Sequence, residues 1–142
     1  MSYVDNNLVM SDAQALTVTA VSTKSIDTQT ALRNLGSGEE IDLVVTIPTT
    51  MTAGGAATLT TSLQDSADNT AFVDVVLGPA VAVASLVAGF EVLRITLPRT
   101  LRRYIAMNYT VATGPMTAGS ITAYLTDDRQ DNVARPSGFT LF

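Results

Sequence analysis

The residues able to do chemistry are few and scattered. The 142 residues include no histidine and no cysteine. That removes the commonest general base, the commonest transition-metal ligand and the best soft ligand together. It also excludes a disulfide framework, a thiolate metal site and a cysteine nucleophile, and leaves the redox compartment open. Carboxylates, hydroxyls and guanidinium groups remain. Glu39 and Glu40 are neighbours, so in an extended chain they point to opposite faces and make a poor acid–base pair. Asp65, Asp68 and Asn69 invite a calcium reading, but the spacing of a calcium loop and its distal bidentate glutamate are missing. Asx-type turn chemistry explains them better. Gly36-Ser37-Gly38 lacks the full glycine spacing and the following helix of a phosphate loop, so it reads as a breaker. Arg99, Arg102 and Arg103 set three cations within five residues of an acidic chain. Phosphate is one partner for such a cluster. Arginine is also enriched at protein interfaces, where its planar fork pairs with carboxylates. We expect a subunit contact here, or pairing within the chain to Asp127, Asp128 or Asp131. No hydroxyl has a base to activate it. The chain is therefore expected not to be an enzyme and to need no cofactor or metal.

The elements that carry these residues are those of a sheet protein. The length suits one domain with its own core. The formal net charge is −5 and only 15% of residues are charged. An acidic balance argues against broad binding to nucleic acid or to an anionic membrane surface. No stretch reaches the roughly 20 apolar residues of a membrane helix. The first residues lack the basic and apolar regions of a secretory signal. So little charge on a soluble domain suggests that partners cover part of its surface.

Along the chain, residues 1–12 have two readings. One is a loosely ordered terminus. The other is an arm docking on a neighbouring subunit through Tyr3, Val4 and Leu8. Strands are expected over 15–22, over 39–47 (closed by Pro48), over 56–64, over 71–77 and over 90–97 (closed by Pro98). In the second of these Ile41, Leu43, Val45 and Ile47 share one face; in the third Leu59 and Leu63 point inward. Residues 49–55 read as a loop, and 78–89 as a strand followed by a turn. Leu32 and Leu35 could form a short apolar contact within the polar turn region 23–38.

The most regular stretch is 101–126. Its run 104–111 alternates Ile105, Met107, Tyr109 and Val111 against polar positions, and its run 120–126 alternates Ile121, Ala123 and Leu125. A Gly-Pro turn over 113–119 lies between, and the whole reads as a hairpin. Met51-Thr52-Ala53-Gly54 and Met116-Thr117-Ala118-Gly119 echo one another, as two similar turn-to-strand entries. The chain closes on Phe139, Leu141 and Phe142, aromatic and aliphatic groups that either pack on their own sheet or anchor in a partner. Seven or eight short strands with no convincing helix predict an all-β fold, a β-sandwich or a jelly roll.

Several segments then carry a resemblance. LVMSDAQALTVTAVST at 8–23, AGGAATLTTSLQDSADNTAF at 53–72, ASLVAGFEVLRITLP at 84–98, RRYIAMNYTVATGPMTAG at 102–119 and LTDDRQDNVARPSGFTLF at 125–142 resemble the small jelly-roll capsid cement (decoration) proteins of tailed bacteriophages, of the type found on a Bordetella phage. The RYxxxNYTVATGPxTAG and DRQD…PSGF stretches are the most specific, and 25–40 departs most from the family pattern. The resemblance implies a single jelly-roll domain of about eight antiparallel strands over 1–142, with 1–12 as an N-terminal arm. It implies a structural virion protein on the capsid exterior that bridges major capsid proteins and stabilises the shell, with self-association as a dimer. The candidate capsid or subunit contacts are Tyr3, Val4, Leu8, Arg99, Arg102, Arg103, Arg135 and Phe142. The alternative is a receptor- or carbohydrate-binding β-sandwich of the virion. Only eight residues are aromatic (four Tyr, four Phe), and most alternate with polar positions as core residues do.

Overall fold

The computed structural model describes residues 4–29 and 40–127. Tyr3, Arg135, Phe142 and the other closing residues, Asp128, Asp131, Glu39, Leu32, Leu35 and the 36–38 glycine segment lie outside the described residues. Among the described residues nine strands form: β1 (Val9–Ala15), β2 (Ala20–Val21), β3 (Ile26–Asp27), β4 (Asp42–Ala53), β5 (Thr58–Ser66), β6 (Val73–Ala82), β7 (Glu91–Thr96), β8 (Tyr104–Ala112) and β9 (Met116–Thr126). Single 3-10 turns stand at Asn6–Leu8 and Val83–Ser85. Every pairing is antiparallel. One sheet runs β1-β9-β4-β7 and the other β2-β8-β5-β6, with β3 also on β8. Apart from the β5–β6 hairpin and the short β2–β3 step along β8, each connection crosses from one sheet to the other. That is the double Greek key of a jelly roll.

Alternation explains the core. Leu43, Val45 and Ile47 of β4 face Leu59 and Leu63 of β5 and Ile105 and Met107 of β8, all fully buried. Each such side chain contributes about 1.5–3 kcal/mol of burial. One polar link crosses this core. The buried Tyr109 hydroxyl on β8 meets Ser11 Oγ on β1 at 2.7 Å, and Ser11 Oγ donates to Gln14 Oε1 at 2.8 Å.

Five expectations are corrected. The strand foreseen over 15–22 breaks, because β1 already starts at Val9 and the chain turns through 16–19 to cross sheets. Met10 and Ser11 are fully buried, so from Val9 onward the foreseen arm is sheet. Pro48 does not end β4, which runs on to Ala53 and takes in most of the foreseen loop over 49–55, leaving only Gly54 and Gly55 outside it. Pro48 falls where the register with β9 slips between Thr46 and Thr49, and a bulge needs no donor there. The 104–126 stretch is not a hairpin. β8 and β9 belong to opposite sheets, and Thr113 (φ 62) and Gly114 (φ 104) arch the chain between them. Both inner faces are apolar, so they meet across the core instead of lying side by side. Lastly, the two Met-Thr-Ala-Gly echoes are cross-strand partners, not twin entries. Thr52 pairs with Ala118 and Ala53 with Met116, both methionines are buried, and Thr52 Oγ1 lies 2.8 Å from Thr117 Oγ1. The first echo is a strand exit and the second a strand entry.

Candidate functional site

The candidate contacts that the structure describes fall in two places. The first is the end of the sandwich where β5 finishes and β8 begins. Asp65 stands near the end of β5, its side chain 8% exposed. The Arg102 backbone N–H donates to its Oδ2 at 2.9 Å, and the guanidinium donates to Oδ1 from Nε at 2.8 Å and from Nη2 at 2.6 Å. Nη2 also reaches the Asp65 carbonyl at 2.8 Å. The Arg102 side chain holds this carboxyl below its ordinary range. Arg103 forks onto Asp27, with Nε to Oδ1 at 2.9 Å and Nη2 to Oδ2 at 2.8 Å. Its guanidinium also lies 5.1 Å from the centre of the Tyr104 ring, a cation–π distance. The foreseen pairing within the chain is therefore present, but through Asp65 and Asp27 and not Asp127. Both guanidinium groups keep outer surface in water, at 42% and 44% exposure. Arg99 is exposed.

Beside this clamp, Asp68 closes the β5–β6 turn as Asx chemistry demands. Its Oδ1 accepts from Ser66 Oγ and from the N–H groups of Thr70 and Ala71. These donors, with Ala71 foremost, pull its pKa down to about 2. Asp65 and Asp68 are thus both held by donors that favour their charged forms. Among the described residues no group of three or more His, Cys, Asp or Glu could hold a metal ion.

The second place is the outer face of the β1-β9-β4-β7 sheet. Asp5 caps the first 3-10 turn by accepting from the Asn7 N–H at 2.9 Å. Leu8 is half-buried against the core and Val4 stays exposed. Val4, Val9, Asp12, Pro48, Thr122 and Tyr124 line a shallow cleft of about 590 Å³. Burial, with Glu91 nearby, raises the Tyr124 phenol above its ordinary pKa. Val4 and Leu8 lead into β1 of the first sheet, and Arg102 and Arg103 lead into β8 of the second.

One surface was not foreseen. Val73, Val75 and Leu77 stand exposed on β6, the edge of the second sheet, with Leu77 70% accessible. A run of alternating aliphatics followed by Gly78-Pro79 was its only signal in the sequence.

A family model described as Bbp16 matches residues 10–125, from β1 to β9. No curated protein matches the chain.

Proposed function

The chain belongs to the Bbp16 family, named for a Bordetella phage protein, and from that premise we propose that it is a capsid cement protein. It binds the exterior of the icosahedral head, bridges neighbouring major capsid proteins and stiffens the shell. The observation that carries this is the match itself, because it runs from within β1 to within β9 and so covers the described sandwich. The chemistry agrees. Asp65 and Asp27 are neutralised by Arg102 and Arg103 within the fold, so the chain offers a rigid body rather than a reactive centre. It acts without catalysis or cofactor, and its contacts are to protein rather than to nucleic acid or membrane. Many copies on one head multiply modest contacts through avidity. A dimer fits the same role, with the aliphatic edge of β6 as the surface that a second copy would cover.

A receptor- or carbohydrate-binding role finds less support. Sugar platforms use exposed aromatic rings, and among the described residues Tyr109 is buried while Phe72, Phe90, Tyr104 and Tyr124 are half-buried.

The test is reconstitution. Expanded heads lacking the protein, mixed with purified chain, should co-sediment with it and retain DNA to a higher temperature than untreated heads. Heads that neither bind the chain nor gain stability would sink the proposal.

A further inference from the structure

Charge is unevenly placed along this molecule. Positions 13–23, 43–64, 75–90 and 104–126 contain no charged residue. The topology gathers the middles of these runs at one end of the sandwich. There the chain turns through 16–19 between β1 and β2, through 54–57 between β4 and β5, through 83–90 between β6 and β7, and through 113–115 between β8 and β9. The four connections carry no charge at all. The opposite end holds a string of carboxylates, among them Asp27, Asp42, Asp65, Asp74 and Asp127, and the three arginines 99, 102 and 103.

The uncharged end is also rigid. The Leu16 N–H donates to the Gly119 carbonyl at 3.2 Å and the Met116 N–H to the Thr17 carbonyl at 2.9 Å. The Val83 N–H donates to the Ala57 carbonyl and the Met51 N–H to the Leu86 carbonyl, both at 2.9 Å. Leu16 and Leu86 are buried beneath as plugs. Above them Val18 is 59% and Val87 47% exposed, among exposed Thr17, Thr19, Ala56 and Pro115. Such a surface loses little on docking. It holds no ion to desolvate, its loops are already ordered, and charge depletion is the compositional mark of an interface core. The far end, rich in hydrated charge, is the costlier one to bury.

We infer that this uncharged end is the surface that seats on the shell, against an equally uncharged patch of aliphatic and hydroxyl side chains on the folded coat protein. The charged end then points to solvent. The inference rests on the cement role proposed above, and it places the contact away from both the arginine cluster and the Val4–Leu8 region.

The experiment measures binding of the full chain to heads lacking it, by co-sedimentation over 50 mM to 1 M NaCl. Wild-type affinity should change less than threefold across that range, because no ion pair forms at the contact. A loss of threefold or more would place ion pairs at the contact and overturn the inference. Val18→Asp and Val87→Asp, made separately, should each weaken binding at least 30-fold while leaving the melting temperature within 3 °C. Ala56→Lys serves the same purpose if either valine variant misfolds. Glu40→Lys, at the far end, should leave binding within threefold of wild type. Variants at the uncharged end that bind like wild type would overturn the inference alone. A wild-type chain that fails to bind heads would overturn the cement role with it.

Discussion

Gly119→Ala is the most informative single change, because two separable costs meet at one atom. Gly119 sits in β9 with φ at +126°, outside the range that L side chains adopt. A methyl group there would lie 2.5 Å from Met51 Cγ and 2.7 Å from Met51 Cα on the partner strand. The backbone strain costs about 1–3 kcal/mol. Forcing two paired strands apart costs a further ~1–3 kcal/mol. Together they give a loss of about 2–6 kcal/mol, or a fall in melting temperature of roughly 6–18 °C for a domain of this size. Gly114→Ala supplies the comparison, since φ there is +104° and no atom lies within 4 Å of the added carbon. It should show the backbone part alone. Trimming the neighbour should not rescue the variant, because the 2.7 Å contact is to the Met51 backbone. The assay is calorimetry with urea unfolding on both variants and on Gly119→Ala/Met51→Ala. If Gly119→Ala costs no more than Gly114→Ala, the close approach of the two echoed segments is not what requires glycine there.

Two further outcomes follow from the buried polar groups. Tyr109→Phe removes the 2.7 Å link to Ser11 Oγ, which keeps its bond to Gln14, so urea unfolding at pH 7 should show a loss of about 0.5–1.5 kcal/mol. Burial raises the Tyr109 pKa, so the unfolded chain ionises first, at about pH 10. Stability present below that pH is lost as the pH rises, and the phenylalanine variant should carry its alkaline unfolding midpoint to higher pH. Asp65 behaves in the opposite sense. Arg102 lowers its folded pKa, so its contribution is present above about pH 4 and disappears as the pH falls through the folded value. Asp65→Asn should be less stable at pH 7 and flatter below pH 4 in urea midpoint; an acid limb identical to wild type would refute the role given to this pair.

The faces of the strands were legible in the sequence, and their partners were not. Ile105, Met107 and Tyr109 alternate with polar residues and are buried, as period two requires. The same pattern is compatible with a neighbour in the same sheet or in the facing one. A turn such as Thr113-Gly114-Pro115 closes either a hairpin or an arch, so local signals could not separate them. Pro48 misled for a related reason. Its missing donor ends a strand only where the ladder needs that donor, and a register slip removes the need. Of the candidate contacts, the arginine cluster was visible by spacing. Asp65 and Asp27 were not, since they stand 37 and 76 positions from their partners and only the fold brings them in. The uncharged end was written in the sequence as four runs without charge, and only the topology shows that they meet.

That segregation bears on how, in the role proposed above, a small acidic domain would act as cement. A sandwich that spread its charges evenly would bury some of them in whatever orientation it docked. Each buried, unmatched ion would cost several kcal/mol, more than one modest contact returns. Here the arginines and their carboxylates satisfy each other at one end, and the turns at the other end are stapled by backbone bonds and plugged by Leu16 and Leu86. On the proposed orientation, hydrated charge and the docking surface fall at opposite ends of one body. Because the two sheets are joined at nearly every connection by a crossing of the core, a load applied at the seated end passes into both sheets at once. A hairpin in place of the 113–115 arch would remove one of these crossings, since β8 and β9 would then share one sheet.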